Sequence, residues 1–320
     1  MEHALAVSNG TVALHLAMVA LGIGEGDEVI MPDLTFAATI NTVLHAKATP
    51  VIVDVDLESW TLDPAEFEKA ITPRTKAVIP VHLYGQPCDM DRILEIARRR
   101  KLFVIEDAAQ AHGATYHSRK VGSLGDIGCF SFFGNKIVTT GEGGICTTNS
   151  PELRNRMKVL RDHGMSPARK YFHEVVGYNY RMTNLQAAIG FGQMERIHEI
   201  LQLRSEIEAR YQAALAEFPF VRLQRGDFPG RSKVNWLVSA LIDETVTSTT
   251  DLIAALRARG IDCRHFFIPL SQMPIYAPYV FSCRNSAALS RVGMNFPTFN
   301  AISDQQIEWI RTALRGHVAK

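Results

Sequence analysis

One lysine stands in the run Phe130-Ser-Phe-Phe-Gly-Asn-Lys136-Ile-Val-Thr-Thr-Gly-Glu-Gly-Gly144, where an apolar stretch gives way to a loop and a glycine-rich turn. In doubly wound α/β sheets the ligand crevice lies beyond the carboxyl ends of the strands, which is where this loop would fall. Lys136 is then either a solvated loop lysine or a nucleophile whose site lowers its pKa enough for Schiff-base chemistry. A second run, Leu102-Phe-Val-Ile-Glu106-Asp107-Ala-Ala-Gln110, reads as a strand ending in two acids, and alternation along the strand sends Glu106 and Asp107 to opposite faces. An acid there either caps the following segment or holds a pyridine nitrogen protonated. A third run, Val7-Ser8-Asn9-Gly10-Thr11, puts small polar residues at the start of an amphipathic segment. That is a plain helix cap, or a phosphate site built from N–H groups, the helix dipole and the Ser8 and Thr11 hydroxyls. Gly22-Ile-Gly-Glu-Gly26 follows a helical pattern, so it reads as a turn and not as a dinucleotide fingerprint.

These residues need a scaffold, and the 320-residue chain is long enough for one large α/β domain or two smaller ones. Its composition, 47% hydrophobic and 21% charged, is that of a globular protein. With 34 Lys and Arg against 33 Asp and Glu the net charge is +1, which provides no field for nucleic acid or an acidic membrane surface. Five cysteines without a C-x-x-C pair signal neither a disulfide framework nor a zinc site. A reducing, cytoplasmic setting is expected, since the start shows no signal peptide and no apolar run is long enough to span a bilayer.

Strand patterns at 28–31, 50–54, 77–82, 102–106, 128–132 and 145–148 alternate with helical ones at 11–21, 36–46, 64–71, 89–99 and 151–161. That alternation predicts a doubly wound, mostly parallel sheet over residues 1–183. Apolar residues at helical spacing from Leu185 to Tyr211 predict one long bridging helix over 184–217. A strand at 235–242, a helix at 249–259, a strand at 262–267 and a closing helix at 303–314 then predict a small α+β domain over 218–320.

Taken with Pro32-Asp-Leu-Thr-Phe36, Pro80-Val-His82-Leu-Tyr84-Gly85, Gly122-Ser-Leu-Gly-Asp126 and Gly177-Tyr-Asn179-Tyr-Arg181-Met182, these motifs make the chain resemble the DegT/DnrJ/EryC1/StrS nucleotide-sugar aminotransferases, fold-type I enzymes that use pyridoxal 5'-phosphate (PLP). The resemblance covers nearly the whole chain. It implies that Lys136 bonds to the cofactor and then moves the proton, that Asp107 pairs with the pyridine nitrogen, and that Gln110 touches the ring. Phe36 would stack on the ring, while Gly10, Thr11 and Ser131 would bind the phosphate. Asn179 would reach the cofactor of a partner subunit in a homodimer, which could pair further to a tetramer. His82, Tyr84 and Arg181 are carried over as substrate contacts.

The resemblance further implies that L-glutamate donates the amino group, leaving as 2-oxoglutarate, and that a keto-sugar nucleotide accepts it at C4. Motifs such as Val176-Gly-Tyr-Asn-Tyr-Arg-Met-Thr-Asn184 and Phe267-Ile-Pro-Leu-Ser-Gln-Met-Pro-Ile-Tyr276 are similar to those of the branch acting on GDP-4-keto-6-deoxy-D-mannose for surface polysaccharides. They also suit dTDP- or UDP-linked sugars, or a non-catalytic binding paralogue. Family chains usually begin a few dozen residues before their phosphate motif, so part of the family's amino-terminal segment is expected to be missing here.

Overall fold

The computed structural model describes residues 1–318. Its first unit is a seven-stranded sheet built from β1 (His3–Val7), β2 (Glu28–Pro32), β3 (Thr49–Val53), β4 (Thr75–Val78), β5 (Phe103–Asp107), β8 (Ile127–Ser131) and β9 (Gly144–Thr148). β6 (Thr115–Tyr116) and β7 (Arg119–Lys120) form a separate small sheet with β11 (Arg231–Ser232). The strand order in the large sheet is β1-β9-β8-β5-β4-β2-β3. Neighbours from β3 to β8 run parallel. Helices α1 (Gly10–Ala20), α2 (Ala38–His45), α3 (Pro64–Lys69), α4 (Met90–Arg100) and α5 (Pro151–Arg161) cover its two faces.

Alternation builds two cores from one sheet. Val29, Met31 and Ile105 join the core under α1, whereas Ile30 and Val104 join the opposite core with Phe67 of α3 and Ile93 of α4. Both faces being covered, the middles of the central strands are apolar, as in Val29–Met31 of β2 and Phe103–Ile105 of β5. Every one of these helices except α2 starts at a side-chain cap: Asp63 and Ser150 precede Pro64 and Pro151, and Asp89 caps α4.

One end of this sheet departs from the parallel expectation. β8 and β9 are antiparallel, with Cys129 opposite Cys146 and Ser131 opposite Gly144. A parallel return needs a long crossover, and the segment 132–143 contains no helix, so the chain turns straight back and projects Lys136 at the turn. β1 is an unanticipated edge strand, antiparallel to β9.

The single helix expected over 184–217 is two helices. α6 (Asn184–Glu195) and α7 (Ile197–Leu215) meet at Arg196, whose φ of −104° and ψ of 14° leave the helical region. The Arg196 N–H bonds to the carbonyl of Gln193, three residues back, so the hydrogen-bond ladder tightens and breaks there. The two halves also differ in burial. α6 buries no residue, while Ile207, Tyr211 and Leu215 of α7 enter the core of a second unit.

That second unit is an antiparallel sheet, β10-β12-β14-β13, of β10 (Val221–Leu223), β12 (Val238–Ile242), β13 (Arg264–His265) and β14 (Gly293–Phe296). α8 (Thr249–Arg257), α9 (Arg284–Val292) and α10 (Asp304–Val318) complete it. β14 and α9 had no sequence counterpart, and residues 319 and 320 of the expected small domain lie outside the described residues.

Glu106 and Asp107 do point to opposite sides of β5. The fully buried Glu106 carboxylate accepts from His82 Nε2 at 3.1 Å and from the backbone N–H groups of Gly122, Leu124 and Gly125 at 2.7, 2.6 and 2.7 Å. Burial alone would raise its pKa; the His82 hydrogen bond and the Gly125 and Gly122 N–H groups outweigh it and leave Glu106 below the ordinary carboxylate value. A group depressed in the folded state contributes stability above its unfolded value, here 4.5, that is lost as pH falls through the lower folded value. Replacing Glu106 by Ala strands four donors and should cost on the order of 3–5 kcal/mol in urea unfolding at neutral pH. The difference from wild type should shrink on acidification below that window.

Candidate active site

A cavity of about 620 Å³ opens at the carboxyl ends of β5 and β8 and at the start of α1. Gly10, Thr11, Phe36, Asp107, Gln110, Ser131 and Lys136 all line it. Seven of the residues singled out from the sequence thus meet in one place.

Two glycines draw the start of α1 against the end of β8 and the start of β9. A Cβ on Gly10 would lie 2.7 Å from Ser131 Cβ, and one on Gly144 would lie 2.5 Å from the Asn9 carbonyl oxygen. The cap of α1 is Asn9, whose Oδ1 accepts from Val12 N–H at 2.8 Å. Ser131 Oγ accepts from Phe133 N–H at 3.3 Å, leaving its own proton for the cavity. Together with Thr11 these groups make a cradle of donors at a helix start, suited to a phosphate.

Asp107 Oδ2 accepts from Thr39 Oγ1 at 2.9 Å and Oδ1 from Ala109 N–H at 3.2 Å. Burial nevertheless holds its carboxyl above the ordinary range. No helix follows, so Asp107 is not a helix cap. The Gln110 carboxamide oxygen accepts from Tyr84 N–H at 2.7 Å, which leaves its amide nitrogen to address the cavity.

Lys136 sits in a loop closed by Phe132 N–H on the Gly143 carbonyl, and its own N–H bonds to the Phe133 carbonyl. Burial draws its ammonium down to about 8, against the opposing pull of Asp107. Nearby His112 is buried and is pushed to about 3, by burial first and then by the Lys136 charge, so it is neutral.

Three expected substrate contacts lie elsewhere. His82 is fully buried beneath β5, bound to Glu106 and accepting from Cys88 N–H through Nδ1. Tyr84 is also buried, and its hydroxyl accepts from Phe267 N–H at 3.2 Å. Arg181 pairs with Asp162 at 3.2 Å on the surface. None of the three lines the cavity. Asn179 is exposed and likewise outside it. Residues that do line it without having been singled out include Trp236, Phe267, His15, His45, Tyr180 and Glu142. A tryptophan in a strand pattern reads as core, and nothing local in the sequence joins it to Lys136.

The arrangement fits pyridoxal 5'-phosphate. The anion cradle would take the phosphate, Asp107 the ring nitrogen and Lys136 the aldehyde carbon, on chemical grounds independent of any relative. A half-buried lysine of lowered pKa, a buried carboxyl and a phosphate cradle at the strand ends of a doubly wound sheet define a PLP-dependent enzyme.

Residues 1–315 match the DegT/DnrJ/EryC1/StrS aminotransferase family. The GDP-perosamine synthase of Caulobacter vibrioides is 50% identical over 321 residues, covering 98% of this chain and 85% of that protein. DesV of S. venezuelae, solved in complex with its ketimine intermediate, superposes with a TM-score of 0.93 at 36% identity, covering all of this chain and 86% of DesV. The sugar aminotransferase Spr1654 of Streptococcus pneumoniae, so named provisionally and solved in its PLP form, gives 0.92 at 26% identity over 99% of this chain and 87% of that one. The chain belongs to the DegT/DnrJ/EryC1/StrS aminotransferase family, and pyridoxal 5'-phosphate is its cofactor.

Because Gly10 Cα is in close approach to Ser131, the Gly10→Ala variant must push α1 off the end of β8. Its affinity for the cofactor should fall about ten-fold or more, with the far-UV circular dichroism unchanged. A titration of PLP absorbance into the cofactor-free chain measures this.

Proposed function

We propose that the protein transfers the amino group of L-glutamate to C4 of GDP-4-keto-6-deoxy-D-mannose, giving GDP-perosamine for a surface polysaccharide such as O-antigen. The observation that carries this reading is the convergence of Lys136, Asp107 and the Gly10–Thr11–Ser131 cradle in one cavity, in a chain half identical to a GDP-perosamine synthase. Glutamate gives up its nitrogen and leaves as 2-oxoglutarate, and the sugar ketone exchanges its oxygen for that nitrogen, so the two half-reactions balance.

When bound, the cofactor supplies an electron sink for the bond broken at the nitrogen-bearing carbon. The chain's own residues do the rest. Gly10, Thr11 and Ser131 hold the phosphate and so fix the ring's orientation. Asp107 keeps the ring nitrogen protonated, Gln110 directs its amide at the ring, and Phe36, 57% exposed at the cavity wall, covers one ring face. Lys136, with its pKa drawn to about 8, takes the proton as an amine and returns it as an ammonium near neutral pH.

The site is completed by a second copy of the chain. Leu185, Ile189, Phe191 and Met194 of α6 and Val176 before it are exposed, Val176 at 88% and Leu185 at 81%, and because these residues lie on both sides of α6 the whole helix leaves apolar surface uncovered. Asn179 lies just after Val176 and from there reaches the cofactor of the other subunit. The double variant Ile189→Asp, Phe191→Asp should sediment as a monomer and bind cofactor more weakly than wild type.

An absorption spectrum of the PLP-loaded protein tests the reaction. The Schiff-base band should bleach with L-glutamate and return with GDP-4-keto-6-deoxy-D-mannose, and borohydride should fix the cofactor on Lys136. Return only with a dTDP- or UDP-linked keto sugar would replace the substrate. A band that glutamate does not change would overturn the transamination.

A further inference from the structure

Trp236 precedes β12 in the second unit, yet it touches two successive residues of the loop in the first. Its indole Nε1–H donates to the Asn135 carbonyl at 2.7 Å, and Lys136 Nζ lies over its ring, 3.7 Å from the centroid. The indole is 3% exposed and has little freedom to turn away. Tyr84 stacks near it with ring centroids 6.2 Å apart and planes 25° from parallel. Tyr84 is itself fixed, with its hydroxyl on Phe267 N–H and its N–H on Gln110.

A lysine released from its cofactor carries its amine on a long flexible stem. In a buried cavity the opposite charge that attracts it is Asp107, and a lasting pair there would occupy both the proton carrier and the group assigned to the ring nitrogen. An aromatic face attracts an ammonium without accepting its proton and without imposing a hydrogen-bond direction. We propose that Trp236 is a positioning residue: its indole face receives the Lys136 amino group whenever that group is not bonded to the cofactor, and keeps it off Asp107 and ready for proton transfer. The inference rests on the reading of Lys136 as the cofactor lysine.

The charged or titratable groups around Lys136 are Asp107 at the end of β5, His112 in the segment that follows, and Glu142, His15, His45 and Tyr180, which line the same cavity. Against the burial that favours the amine, both Asp107 and the indole face favour the ammonium. Removing the face should therefore move the Lys136 midpoint down.

Two measurements on the cofactor-free 320-residue chain test this. The emission of Trp236 should show a step centred near pH 8 that is absent from Lys136→Met, over a constant background from Trp60 and Trp309. The rate of Lys136 acylation by acetic anhydride, followed by mass spectrometry against pH, should give a midpoint lower by about half to one pH unit in Trp236→Leu. Trp236→Phe loses the Asn135 bond but keeps an aromatic face, and should restore most of the shift. A flat emission profile in the wild type, or one midpoint shared by the Leu and Phe variants, would overturn the proposal. If borohydride fixes the cofactor on Lys136 but the emission step is missing, only this inference fails; if the cofactor is fixed on another lysine, both readings fail.

Discussion

Successive residues of a strand face opposite ways, and at the end of β5 this sets two carboxyl groups back to back. The rest of the site depends on that placement. Glu106, turned into the protein, collects a histidine and three backbone donors, so a buried charge becomes an anchor for the segment 122–125. That segment feeds β8, and the end of β8 supplies Ser131 and the turn with Lys136. Asp107, turned the other way, has two donors and the cavity in front of it. The same strand end is thus rigid on one side and receptive on the other.

The second constraint is the absence of a helix between β8 and β9. A crossover would have carried residue 136 over a face of the sheet. The direct antiparallel return leaves it at the sheet's end, level with the start of α1, and lets Gly144 pass against the Asn9 carbonyl. A third layer comes from the other unit: Trp236, Phe266 and Leu241 share a core with Leu34, Tyr84 and Ile137, so the loop is backed by side chains from both sheets.

Much of this was legible in the residues. The alternation of strand and helix patterns located five helices of the first unit closely, and the loop, acid and cap motifs pointed at residues that meet in one cavity. What was misread has identifiable causes. His82 and Tyr84 belong to recurring motifs, but a motif records that a residue matters, not which way it faces; His82 anchors Glu106 and Tyr84 braces Phe267, whereas Arg181 stands on the surface beside Asp162. The break at Arg196 is invisible to periodicity because the apolar spacing continues through it while the two halves meet different surroundings. Trp236 could not be assigned because its partner is a hundred positions away, and β14 was missed because Gly-Met-Asn-Phe is too short and mixed to show alternation.

The crossing of Trp236 from one unit into the working cavity of the other bears on how such chains can be recombined. A hybrid joined between α7 and β12 would take its lysine loop from one parent and the surface beneath that loop from the other. The two units are separate as folded layers but not as exchangeable parts. A junction placed after residue 236 keeps the lysine with the indole it was built against, whereas one placed before it makes the acidity of the lysine a property of the graft.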